Sequence, residues 1–191
     1  MDWHALEKKW QKRWEEAKLY ESDPDPNRKK CFVTFPYPYM GGPLHVGHAF
    51  TSTRLDAYAR YMRMKGYNVL FPWAWHWTGE TVAGAAERVK IGDKPFIDAL
   101  REVDEVPEED LRKFIDPVYM ARYYTENGRE AVKRLGLAID WRREFHTTSL
   151  NPAYSKFIEW QYIRLKERGY VSLGTHPVVW CPRCESPTGD A

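Results

Sequence analysis

Two histidines three residues apart, His45 and His48, enclose Val46-Gly47 between a β-rich run and a helix-patterned one. That spacing lets both imidazoles face one site at the helix start. A helix amino terminus carries unpaired N–H groups and a partial positive charge, so it holds phosphate. Imidazoles placed there can donate hydrogen bonds to phosphate oxygens whose charge grows during displacement at phosphorus. Gly47 removes a Cβ and lets a flat base or a phosphate approach the backbone. No Walker A or GxGxxG pattern occurs, so His45, Gly47 and His48 form the candidate nucleotide site. A second candidate is Cys181-Pro-Arg-Cys184, which has the spacing of half a zinc knuckle. One pair cannot close a tetrahedral site. His176 offers a third ligand, a second pair would have to follow, and unfilled thiols or a redox pair are the alternatives.

The elements that position these residues can be read from pattern. Trp3, Leu6, Trp10, Trp14 and Ala17 fall on one helical face. Residues 21–30 read as a loop, and Cys31 to Phe35 as a short buried strand with Cys31 in the core. The run Pro36 to Pro43 can continue neither strand nor helix. Leu55, Tyr58, Ala59 and Met62 then repeat at helical spacing, and Gly66 is a natural stop. A second strand is predicted over Tyr67 to Phe71, and a helix over Thr78 to Lys90 with Thr78 as cap candidate. The charged segment Asp93 to Asp116, broken by Pro95 and Pro107, reads as short helices or an exposed insertion. Two longer helices, Pro117 to Leu135 and Pro152 to Arg168, start at proline and end before Gly136 and Gly169. Tyr170 to Val179 contains strand-like pieces. Strand, loop, helix, strand implies a βαβ unit and an α/β fold with a parallel sheet. Two or three strands do not complete such a sheet, so the chain reads as truncated or as needing a partner to cover its sheet edge.

Composition bounds the rest. The chain has 191 residues, 29 Lys+Arg against 27 Asp+Glu and a formal net charge of +2. That balance does not announce nucleic-acid binding, so any RNA contact needs a local patch. Aromatic residues reach 15%, with nine Trp. They serve packing, or line a pocket for adenine or an apolar substrate. Three cysteines make no disulfide framework, the charged amino terminus has no signal-like apolar core, and no apolar run is long enough to span a membrane. A reducing, cytoplasmic setting is the expectation.

The stretch Phe35-Pro-Tyr-Pro-Tyr-Met-Gly-Gly-Pro-Leu-His-Val-Gly-His48 resembles the signature of the class I aminoacyl-tRNA synthetases. Further stretches resemble the archaeal and eukaryotic leucyl-tRNA synthetases in particular. They are Lys9-Trp10-Gln11-Lys12-Arg13-Trp14, Lys65-Gly66-Tyr67-Asn68-Val69-Leu70-Phe71-Pro72, Trp75-His76-Trp77-Thr78-Gly79, Thr147-Thr148-Ser149-Leu150-Asn151-Pro152 and Phe157-Ile158-Glu159-Trp160-Gln161. The resemblance implies the amino-terminal half of a class I (HUP-type) nucleotide-binding fold, with parallel strands and flanking helices. It implies three regions: a helix and loop over 1–30, the first half of the catalytic domain over 31–174, and the start of a zinc-knuckle and editing insertion over 175–191. The implied reaction uses ATP with Mg2+ to activate leucine and passes the leucyl group to tRNA-Leu. His45 and His48 would then stabilise the phosphates, and Gly47 would lie against the adenine. Tyr37, through its backbone, and Tyr39 would border the amino-acid pocket. His76 stands where bacterial relatives hold the substrate ammonium with an aspartate. A neutral imidazole can accept from an ammonium and a protonated one repels it, while a purely structural histidine between Trp75 and Trp77 is the plainer alternative. Zn2+ would sit at Cys181 and Cys184 if a second ligand pair follows. The family's lysine-rich KMSKS signature has no counterpart here, so the remainder of a synthetase is an expected partner in cis or trans, and the isolated chain is expected to be inactive. The competing readings are a non-catalytic subunit or tRNA-binding paralogue of a split synthetase, and a small HxGH nucleotidyltransferase.

Overall fold

Helix α1 (Trp3–Glu16) starts at Asp2, whose carboxylate accepts the Ala5 N–H. After a loop come β1 (Lys30–Phe32), α2 (Val46–Met64) and β2 (Asn68–Leu70) in a computed structural model that describes residues 1–182 and 186–187. β1 and β2 are parallel, with Cys31 opposite Val69, so the expected βαβ unit forms. Gly66 ends α2 at φ 83°, a conformation that only glycine reaches without cost. β1 is shorter and less buried than the sequence suggests. Phe32 is 63% exposed and Cys31 half-buried, while the buried side chains, Val33 and Phe35, lie just beyond the strand.

β2 leads through Trp73 into β3 (Ala74–Trp75). Four helices then run in sequence: α3 (Glu80–Lys90), α4 (Lys94–Glu102), α5 (Glu108–Leu111) with a 3-10 turn at Arg112–Ile115, and α6 (Pro117–Arg134). They return the chain to β4 (Phe145–His146), which pairs in parallel with β3. Successive carbonyls show how the sheet is assembled. Leu70 accepts from Val33, and His76 exchanges bonds with Pro38 and Met40, on one side. Phe71, Trp73 and Trp75 accept from Asp140, Phe145 and Thr147 on the other. Residues 68–77 are thus the middle of three parallel segments, and β-carbonyl alternation accounts for the two sets of partners. The core sits against this middle segment, with Phe71, Trp73, Trp75, Phe114, Met120 and Tyr124 all essentially buried.

Several expectations are corrected. Of the two readings of the charged stretch 93–116, short helices hold and an exposed insertion does not: Leu100, Val106, Leu111 and Phe114 are buried, α4 and the 3-10 turn pack against α3, and the turn also packs against α6. α3 is capped by Gly79 at φ 96° and not by Thr78, whose hydroxyl faces His76 instead. The apolar face of α1 carries no buried residue, and Trp3 and Trp10 stay exposed while Trp14 lies edge-tilted on Tyr20. The chain divides into two compact units, Met1–Thr147 and Thr148–Ala191. The second holds α7 (Pro152–Glu167), capped by Asn151, and a short antiparallel pair, β5 (Trp180–Cys181) with β6 (Ser186–Pro187). Residues 171–179 form no strand: a β-rich composition makes a strand only where a neighbour supplies the ladder.

One buried carboxylate fastens the third sheet segment. Asp140 accepts from the Ser22 N–H and from the Arg142 guanidinium. Burial alone would raise its pKa, but the Arg142 hydrogen bonds and the Ser22 N–H outweigh it and hold the carboxyl below the usual range. A depressed folded pKa gives stabilisation that is complete above the unfolded value, near about 3.9, and is lost as pH falls through the folded one. Asp140→Asn is therefore expected to cost about 2 kcal/mol at neutral pH, the order of a buried charged acceptor losing its donors. The gap between mutant and parent in urea unfolding should narrow steadily as the pH falls below about 4, and a gap that stays constant there rules out the ionic cause.

Candidate active site

The start of α2 is built by its own histidines. His45 is the N-cap, in extended conformation, and its Nδ1 accepts the Gly47 N–H at 3.1 Å. His48, one turn in, returns the favour: its Nδ1 accepts the His45 N–H at 3.1 Å. This is a capping box made of two imidazoles in place of the usual Ser or Thr and Glu. The rings lie 4.0 Å apart between centroids. Burial, with the His45 ring as a second cause, lowers the His48 pKa, so the ring is neutral at neutral pH. Gly47 has a local role the sequence did not show. A Cβ there would lie 2.9 Å from His45 Cε1 and 3.0 Å from Nδ1, so the glycine makes room for the cap as well as for a ligand.

His45 and His48 open onto a cavity of about 380 Å³, walled by Leu44, Ser52, Trp73 and Val132 and bordered by Glu7 and Arg134. Phe35 stacks on Trp73 at 4.7 Å and leans on the His48 ring, tying the helix start to the sheet.

The other candidates gather one strand over. Tyr39 bridges to His76, and their rings meet edge to face at 4.2 Å. Tyr37 is half-buried, its ring edge against Phe145. His76 Nε2 lies 2.9 Å from the Thr78 hydroxyl, which in turn lies 3.3 Å from that of Thr147, and His76 Nδ1 is buried without a partner. Burial lowers the His76 pKa, so this ring too is neutral. Thus Tyr39 and His76 are brought together, His45, Gly47 and His48 are brought together, and the 36–43 loop joins the two groups. Gly41 anchors that loop. A Cβ on it would lie 2.5 Å from the Thr81 carbonyl oxygen, a backbone atom that cannot step aside. Gly41→Ala is expected to lower stability by about 2 kcal/mol, the cost of a steric insertion into packed backbone, read as a shifted urea midpoint.

Reasoning from sequence missed the residues that hold these groups. Trp73, Trp75 and Trp77 alternate as a strand would, and that period was the available signal. Thr78 and Thr147 were visible only as members of stretches that resemble the family, and Arg129 and Glu144, which meet at Trp75, gave no signal. Cys184 lies outside the described residues. Among the described residues no three His, Cys, Asp or Glu come close enough to hold a metal ion, and no helix is long and apolar enough to cross a membrane.

The model of the tRNA synthetases class I (I, L, M and V) matches residues 9–191. The leucine–tRNA ligase of Aeropyrum pernix is 55% identical over 186 residues, which is 97% of this chain and 19% of that protein. That of Pyrococcus furiosus is 50% identical over 192 residues, covering 100% of this chain and 20% of the relative. A crystal structure of an Agrobacterium radiobacter LeuRS–tRNA–LeuAMS ternary complex superposes with a TM-score of 0.70 at 24% identity, over 94% of this chain and 19% of that one, a likeness of fold. The chain spans about a fifth of the length of the relatives it matches. With its parallel α/β core and its histidine-capped helix start, the chain belongs to the class I tRNA synthetases of the I, L, M and V group.

Proposed function

We propose that these residues supply the amino-terminal part of the catalytic domain of a leucine–tRNA ligase. That enzyme forms leucyl-adenylate from leucine and ATP and transfers the leucyl group to tRNA-Leu. The observation that carries the reading is the histidine-capped start of α2, opening on its cavity within a chain so similar to leucine–tRNA ligases. His45 and His48 donate to oxygens of the α-phosphate as the leucine carboxylate attacks and pyrophosphate leaves. Gly47 lies under the adenine. Tyr37, Tyr39 and His76 border the amino-acid pocket, where a neutral His76 does not repel the substrate ammonium. Mg2+, held by the ATP phosphates, would neutralise part of their charge. Residues 31–174 form the first half of the catalytic domain, and 175–191 begin an insertion in which zinc at Cys181 and Cys184 requires two further ligands. The partners are leucine, tRNA-Leu and the remainder of the synthetase, in a cytoplasmic setting. ATP–pyrophosphate exchange by the complete synthetase carrying these residues tests the reading. Leucine should drive exchange, with isoleucine, valine and methionine far behind. Exchange driven best by one of those three overturns the leucine assignment, and none with any amino acid overturns the reaction.

A further inference from the structure

We propose that His45 and His48 are positioning residues for each other, through a reciprocal cap that locks both rings in one tautomer. A backbone N–H is always a donor, so the nitrogen that receives it must carry a lone pair. The Gly47 N–H points at His45 Nδ1, and the His45 N–H at His48 Nδ1. Both Nδ1 atoms are therefore unprotonated, and the proton of each neutral ring sits on Nε2. The two rings present a pair of neutral N–H donors, with no choice of tautomer left to them. A ring flip would set a C–H against each backbone donor and lose both bonds. Protonation has the same cost, because an Nδ1–H would face an N–H head on. Gly47 completes the device, since any side chain there would push the His45 ring off its cap. Besides the two rings themselves, the charged groups bordering their cavity are Glu7 of α1 and Arg134 of α6, one of each sign. Phe35 and Trp73, which pack behind the pair, are uncharged.

The inference deepens the proposed function, on which the use of the two donors rests, but the lock itself is a property of the chain alone. Long-range proton–nitrogen correlation spectra of the chain, labelled with nitrogen-15 histidine, read it directly from about pH 5 to 8. His45 and His48 should each show a pyridine-like Nδ1 and a pyrrole-like Nε2 when neutral. The backbone amide of His45 should shift in step with protonation of the His48 ring, whose bond it makes. Gly47→Ala should return His45 to the averaged pattern of a free imidazole. An averaged pattern or the neutral Nδ1–H tautomer at either ring of the parent chain overturns the proposal, whether or not the variant folds. Locked rings in a synthetase that fails to exchange pyrophosphate sink the functional reading and leave this one. Averaged rings in a synthetase that does exchange do the reverse.

Discussion

Trp75→Ala should lower the stability of the first unit by about 4 kcal/mol, the usual cost of emptying a tryptophan site in a packed core. Trp75 is 1% exposed, and its indole lies across the middle of the sheet, edge-on to Trp73 at 5.8 Å. Its Nε1 donates to Glu144 at 2.5 Å, and Glu144 also receives Arg129, so the ring joins the core to a charged network. Gly128 in α6 shows how closely the site is fitted: a Cβ there would approach the Trp75 ring to 2.9 Å. Alanine at 75 leaves a void that α6 cannot fill without moving, and it strips one donor from a carboxylate that keeps its charge. Domains of this size have about 5–15 kcal/mol in all, so the melting temperature should fall by about 10 °C or more. Trp75→Phe keeps most of the volume and loses the Glu144 bond, and should cost about 1–2 kcal/mol. Urea unfolding of the three chains distinguishes the cases. Equal losses for alanine and phenylalanine would assign the whole effect to the hydrogen bond and none to packing.

What the sequence reveals and what it hides follow from the range of the forces involved. Gly66, Gly136 and Gly169 end their helices at positive φ, and Pro117 and Pro152 begin theirs, because these residues act through their own backbone. The β1–α2–β2 unit is legible for a similar reason, since its periods change from two to 3.6 within one run. His45 as a cap was not legible. Histidine is no favoured N-cap, and its role depends on a second ring three residues on. β3 and β4 are two residues each and exist only through each other across some seventy residues of chain, so no local pattern announces them. The burial of Leu100, Leu111 and Phe114 was masked by the charges around them, which occupy the outer faces of short helices. The surroundings of His76 come from Thr78, two residues on, and from Thr147, some seventy residues away, so only half of them is local. Family resemblance located the candidate side chains; only the fold shows what holds each of them still.

On the proposed function, removing either histidine of the helix start from the complete synthetase should slow leucine-dependent exchange by about 10²–10³, the usual cost of deleting one donor to a developing oxyanion. The double variant His45→Ala with His48→Ala should fall short of the product of the two. Each single change removes one donor and also loosens the cap that holds the other, so part of the loss is counted in both. His48→Gln separates cap from chemistry. Glutamine at the third helical position can reach back to the N-cap N–H as the imidazole does, and it retains a donor. It should recover exchange about tenfold over His48→Ala, the order of one regained hydrogen bond. The His45 contribution, measured as the further loss on His45→Ala, should then be larger in the glutamine background than in the alanine one. Strict multiplicativity of the two alanine changes, with no difference between backgrounds, would mean that the rings act independently and that the cap is architecture without consequence for the reaction.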